Sequence, residues 1–131
     1  MRRSRGSGRA RREADRGSLA ALAAAFGDAY LSGDPVRLGR LLAPQVQVVV
    51  DSGGVVGRAH GPADGVTAAL TLLAVTLGAS DGLSLDPCSV NGRPGLRASR
   101  AGGPVAVIAL DGRACVDRAW LVTNPDKLRH W

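Results

Sequence analysis

Residues 83–123 read LSLDPCSVNGRPGLRASRAGGPVAVIALDGRACVDRAWLVT, and this stretch decides the fold class. Apolar runs are divided by three turn signals, Asn91-Gly92, Gly102-Gly103 and Asp111-Gly112. Asn-Gly and Asp-Gly supply the positive φ angles of tight hairpins, so between such runs they predict antiparallel pairing. Four strands follow, at 83–90, 95–100, 105–110 and 115–123. The run VAVIAL (105–110) lacks alternation and should be covered on both faces, whereas CVDRAWLVT (115–123) mixes polar and apolar residues and should be partly exposed or face a pocket.

Upstream the period changes. Leu19, Leu22, Phe26 and Tyr30 recur at spacings of three and four among alanines, which predicts a helix capped by Ser18 and ended by Gly33. Asp34-Pro35 reads as a cap followed by a first-turn proline, so a second, short helix is expected over 35–42, with Pro44 marking its stop. Residues 45–51 are β-branched and read as a strand, Asp51-Ser52-Gly53-Gly54 as a turn, and 55–59 as a strand pairing back. Val66, Leu70, Leu73 and Leu77 share one helical face, with Gly78 at the exit. Helix, helix, two strands, helix and a meander predict an α+β domain: a cone-shaped, curved antiparallel sheet wrapped around about three helices, with an internal pocket.

The chain has 131 residues and 45% apolar content, enough for one core, expected at 17–131. Its net charge of +6 is unevenly placed. Residues 1–16 carry seven arginines against Glu13 and Asp15, a balance of +5, so the remaining ten basic and nine acidic groups leave the body at +1. The segment 1–16 is therefore expected to be a basic, disordered leader, and the nearly neutral body predicts no direct sequence-specific contact with nucleic acid. No apolar run is long enough to span a bilayer, and none completes a secretory signal, so no membrane association and a cytoplasmic location are expected. Cys88 and Cys115 lack metal-ligand spacing and read as buried free thiols.

Two segments carry a resemblance. Asn124-Pro125-Asp126-Lys127-Leu128, after the last strand, and Asp51-Ser52-Gly53-Gly54-Val55, after the first, resemble the Asn-Pro-Asp-Lys-Leu and Asp-Gly-Gly-Gly-Lys motifs of extracytoplasmic-function sigma factors that bear a C-terminal SnoaL-like domain. The hairpin segments 90–96 and 103–107 look like those of the same family, and the element order over 18–131 resembles the SnoaL-like, nuclear-transport-factor-2-like superfamily, which has a cystatin-like roll. The resemblance implies a domain that contacts sigma-factor core domains and modulates their binding to polymerase and promoter. The second motif departs at Ser52 and Val55, where the family has glycine and lysine, and the lysine's charge is lost. Sixteen arginine-rich residues do not supply the helical modules of a sigma factor. A detached regulatory domain, a fragment of a longer product, or a relative recruited to small-molecule chemistry is expected.

For chemistry in a pocket, a carboxylate in an apolar wall is the usual requirement. Asp117, grouped by alternation with Cys115, Ala119 and Leu121, and Asp28, between Phe26 and Tyr30 on the first helix, are the candidate bases. Phe26, Tyr30, His60 and Trp120 are candidate pocket residues. No histidine or acid sits at metal-ligand spacing, and no phosphate or dinucleotide loop is present, so neither metal nor cofactor is expected. The resemblance implies a non-enzymatic accessory domain whose partner is a sigma factor, an RNA polymerase subunit or a small apolar ligand. The alternative is a cofactor-free enzyme: a polyketide cyclase, an isomerase or a pericyclic cyclase. A homodimer through Trp120 and Val122 is a further expectation.

Overall fold

The computed structural model describes residues 3–52, 62–101, 103–123 and 125–128. Helix α1 (Arg3–Leu31) continues through Ser18, so it opens in the basic segment rather than at a Ser18 cap. Arginine and alanine favour helix without tertiary help. Burial begins at Leu19 and recurs at Leu22, Phe26, Ala29 and Tyr30, the stripe that the spacing predicted. Helix α2 (Pro35–Gly39) is capped by the Asp34 carboxylate, which accepts the Val36 N–H at 2.9 Å. It stops short of residue 42 because β1 (Leu42–Asp51) begins there. Pro44 lies inside that strand, where pairing with its neighbour is irregular and a missing N–H leaves no ladder bond unmade.

The short strand β2 (Ala63–Asp64) pairs with Gln47 and Val48 of β1. The strand expected at 55–59 lies outside the described residues. Helix α3 (Val66–Leu77) follows, with Leu73 and Leu77 buried and Gly78, at φ 76°, ending it. Then come β3 (Ser84–Val90), β4 (Arg93–Arg100), β5 (Gly103–Gly112), β6 (Val116–Val122) and the single turn α4 (Pro125–Leu128). Asn91, at φ 52°, and Gly92 form the β3–β4 turn, as their sequence signal requires.

Among the described residues six strands lie in the order β2-β1-β6-β5-β4-β3. Every pair is antiparallel except β1 with β6, so the sheet is mixed rather than wholly antiparallel. These two strands are joined through the whole of the intervening domain, not by a hairpin, which frees them to run parallel. The last strand is consequently internal. Helix α1 packs on β3, β4 and β5, while α3 packs on β1 and β2, giving an α+β roll whose sheet curls without closing.

The space between helices and sheet is filled by apolar side chains: Phe26, Leu73, Leu96, Ile108, Leu121 and Val46 are all essentially inaccessible. Among the described residues no polar or charged side chain is buried. VAVIAL is covered on its inner face, as its composition predicted, and on its outer face only in part, since Ala109 is half-buried. Ala106, Ile108 and Leu110 join the main core, while Val107, buried outside that cluster, lies on the side of β5 where α4 packs with Leu128 buried. Gly95 permits the close approach of β3, β4 and β5, since a Cβ there would sit 2.6 Å from the Ile108 carbonyl oxygen and 2.7 Å from Val90 Cγ2.

One irregularity re-aims the last strand. Gly112 opposes Val116 whereas Asp111 opposes Arg118, so β6 carries an extra residue at this point. A β-bulge breaks the two-residue period. Val116, Ala119 and Leu121 therefore face the core, and both Asp117 and Arg118 are exposed. This corrects the grouping of Asp117 with Ala119 and Leu121. The cysteines are free thiols, half-buried rather than fully buried.

Candidate functional site

The two motif segments meet at one end of the sheet. Because β1 and β6 run parallel, their C-terminal ends lie side by side, with Asp51 opposite Val122. The Thr123 N–H donates to the Asp51 carbonyl at 2.9 Å. One turn further on, Lys127 Nζ lies 2.8 Å from Asp51 Oδ2, tying α4 to the end of β1 across 76 residues of sequence. Both side chains remain well exposed, at 59% and 44%, so the pair contributes only about 0.2–1 kcal/mol and mainly sets geometry. Leu128 is buried beneath this turn, and Ser52 is half-buried at the end of β1. The side chains of Pro125 and Asp126, and Gly53, Gly54 and Asn124 as a whole, lie outside the described residues.

Beside this junction the outer face of the sheet holds a groove of about 390 Å³, lined by Val49, Asp51, Pro94, Ala109, Trp120 and Val122 among others. Trp120 is half-buried there, paired across the sheet with Val49 and Ala109. The Arg118 guanidinium lies 5.2 Å from its ring centroid, a cation–π contact that holds the indole against the sheet. Trp120 is thus a residue of the outer face, separated by the sheet from Phe26 and Tyr30.

Tyr30 belongs to a second place. It is 9% exposed, and its hydroxyl donates to the Gly78 carbonyl at 2.5 Å, with the Leu73 carbonyl at 3.4 Å. Burial pushes this phenol above its usual value of 10.0, against the opposing pull of the Arg100 charge. A cavity of about 290 Å³ opens beside it between α1, α2 and α3, with Ala29, Leu38, Leu70 and Ala74 in its largely apolar wall. Phe26, one turn earlier, is wholly enclosed in the core and does not line this cavity.

The two candidate bases are exposed. Asp28 is on the outer side of α1, and Asp117 accepts a long contact from Gln45 Nε2 at 3.5 Å. Asp117 lines an open cleft of about 580 Å³ between α1 and the end of the β5–β6 hairpin, with Asp15, Asp111 and Arg113 also in its wall. Neither carboxylate sits in the apolar wall that its reading as a base required. His60 lies outside the described residues. Among the described residues no three His, Cys, Asp or Glu side chains group as a metal site needs, and no helix is long and apolar enough to cross a membrane.

No family model and no curated protein sequence matches the chain. Solved structures do. The extracytoplasmic function sigma factor SigJ of Mycobacterium tuberculosis superposes with a TM-score of 0.63 at 24% identity, over 84% of this chain and 43% of SigJ. An NTF-2 like protein of unknown function from Burkholderia xenovorans gives 0.61 at 13% identity, over 89% of this chain and 94% of its own. A polyketide cyclase candidate from Xanthomonas campestris gives 0.58 at 16% identity, over 86% and 95%. The chain has the SnoaL-like, nuclear-transport-factor-2-like fold. It spans less than half of SigJ, and most of the length of the other two.

Within this SnoaL-like roll, one structural residue escaped the sequence reading. Arg100, on β4, donates Nη1 to the Asp81 carbonyl at 2.8 Å and Nη2 to the carbonyls of Leu77, at 2.9 Å, and Ala79. Together with Tyr30 it satisfies the Leu77 carbonyl at the end of α3 and the Gly78, Ala79 and Asp81 carbonyls of the loop that follows. Nothing in the sequence near Arg100 signals this, because its partners lie about twenty residues earlier.

Proposed function

We propose that this domain is a non-catalytic protein-docking module whose contact surface is the end of the sheet where α4 meets β1. The observation that carries this reading is the Lys127–Asp51 contact, which joins the two segments resembling sigma-factor motifs into one surface. The apolar filling of the roll supports it, since among the described residues the interior holds no buried carboxylate. The Trp120 groove extends the surface with the kind of half-buried aromatic anchor that protein interfaces favour. The likeness to SigJ supports one partner class, the core domains of an extracytoplasmic-function sigma factor.

The test is titration calorimetry of the purified domain against the isolated core domains of such a sigma factor, with the Lys127→Glu and Trp120→Glu variants alongside. Saturable binding that weakens at least tenfold in both variants is the expected result. No binding to sigma-factor core domains, or binding indifferent to both substitutions, overturns it.

A second reading, a cofactor-free enzyme acting on a small apolar substrate, is favoured by the cavity beside Tyr30 and by the likeness to a polyketide cyclase candidate. Retention of an apolar metabolite in native mass spectra, lost on Ala74→Trp, would support that reading over docking.

A further inference from the structure

We propose that the basic end of α1 binds the phosphate backbone of a nucleic-acid duplex without reading its sequence. Helix α1 extends into the arginine-rich segment, and the described residues there, including Ala10, Arg11 and 13–18, are exposed before burial begins at Leu19. The chain's positive charge is therefore concentrated on the first half of one helix, while residues 17–131 are nearly neutral.

Spacing orders that charge. Arg5, Arg9, Arg12 and Arg16 follow one another by four, three and four residues, so on a helix they fall along one face over about 16 Å. Glu13 and Asp15 fall to either side of that line. All seven basic residues of 1–16 are arginine, whose fork of donors matches phosphate oxygens in pairs.

Composition selects among polyanions. A helix that docks in a protein groove or lies on a membrane needs an apolar face of large residues, and residues 2–18 hold only Ala10 and Ala14. There is no aromatic residue in this segment to stack on unpaired bases, which favours a duplex over a single strand. Closely spaced arginines repel one another along the helix, and phosphates relieve that repulsion, so binding and helicity reinforce each other. The sequence-specific recognition that the neutral body argues against is not required, because backbone contacts position a protein without specifying bases.

Fluorescence anisotropy of the full chain with two labelled duplexes of unrelated sequence tests this. Equal affinity for both is expected, with a log–log salt slope of about −3 to −4, as four phosphate contacts would give. Replacing Arg5, Arg9, Arg12 and Arg16 together by glutamine should weaken binding at least roughly tenfold at low salt and leave the melting temperature unchanged. A control chain with Arg37, Arg40 and Arg113 changed to glutamine, exposed positions on the body, should bind as the unaltered chain does. Three results would overturn the proposal: unchanged affinity in the α1 variant, an equal loss in the control, or polyglutamate competing as well as unlabelled duplex, which would point to an acidic protein.

Discussion

Lys127 and Asp51 stand 2.8 Å apart at the junction of α4 with the end of β1, and this contact brings together two segments that the sequence separates by most of the domain. Both side chains are exposed, so the contact organises a surface more than it stabilises the fold. Exchanging the charges separates the two roles. Lys127→Glu alone should lower stability by no more than about 1 kcal/mol in urea denaturation yet impair partner binding, and Asp51→Lys added to it should recover part of the affinity.

Tyr30→Phe removes the donor to the Gly78 carbonyl and should reduce stability by about 1 kcal/mol. The hydroxyl's raised pKa gives a pH signature as well. A group whose folded pKa lies above its unfolded value stabilises fully below the unfolded value and loses that contribution as pH rises through the folded one. Stability of the native chain should therefore fall more steeply above about pH 10 than that of Tyr30→Phe, as thermal melts across that range would show.

Arg100→Met keeps much of the aliphatic stem and removes three hydrogen bonds, to the Leu77 carbonyl at the end of α3 and to two carbonyls of the loop after it. A loss of about 1.5–3 kcal/mol is expected, with hydrogen exchange accelerating first in residues 77–83.

Gly95→Ala would drive a methyl group against the Ile108 carbonyl and the Val90 side chain. Overpacking of this kind should destabilise by about 1–3 kcal/mol, measurable as a lowered denaturation midpoint with an unchanged slope. By contrast, Ser84→Ala, at an exposed position on the edge strand β3, should stay within about 0.5 kcal/mol.

Asp117→Asn addresses the best carboxylate that alternation offered. Its exposure predicts a stability change within about 0.5 kcal/mol and no effect on partner binding at the Lys127 end of the sheet. A chain that lost function on this change alone would direct attention to the cleft between α1 and the β5–β6 hairpin.

Much of the architecture is legible in the sequence, because it rests on local signals. The spacing of Leu19, Leu22, Phe26 and Tyr30, the Asp34-Pro35 cap and the Asn91-Gly92 turn each act within a few residues, and each lies where it was expected. The absence of alternation in VAVIAL likewise announced an internal strand, whose outer face is covered at Val107 and half-open at Ala109. What the tertiary structure alone decided is non-local. The parallel pairing of β1 with β6 has no turn to signal it, and it is this pairing that places Asp51 beside Lys127. The bulge opposite Gly112 shifts the phase of β6 by one residue, which is enough to turn Asp117 outward, since strand side chains alternate with a period of two. Arg100 and Tyr30 meet the end of α3 only after sheet and helices have packed. Sequence thus determines the elements through short-range backbone preferences, whereas the surface proposed for docking is assembled by contacts between residues that no local preference relates.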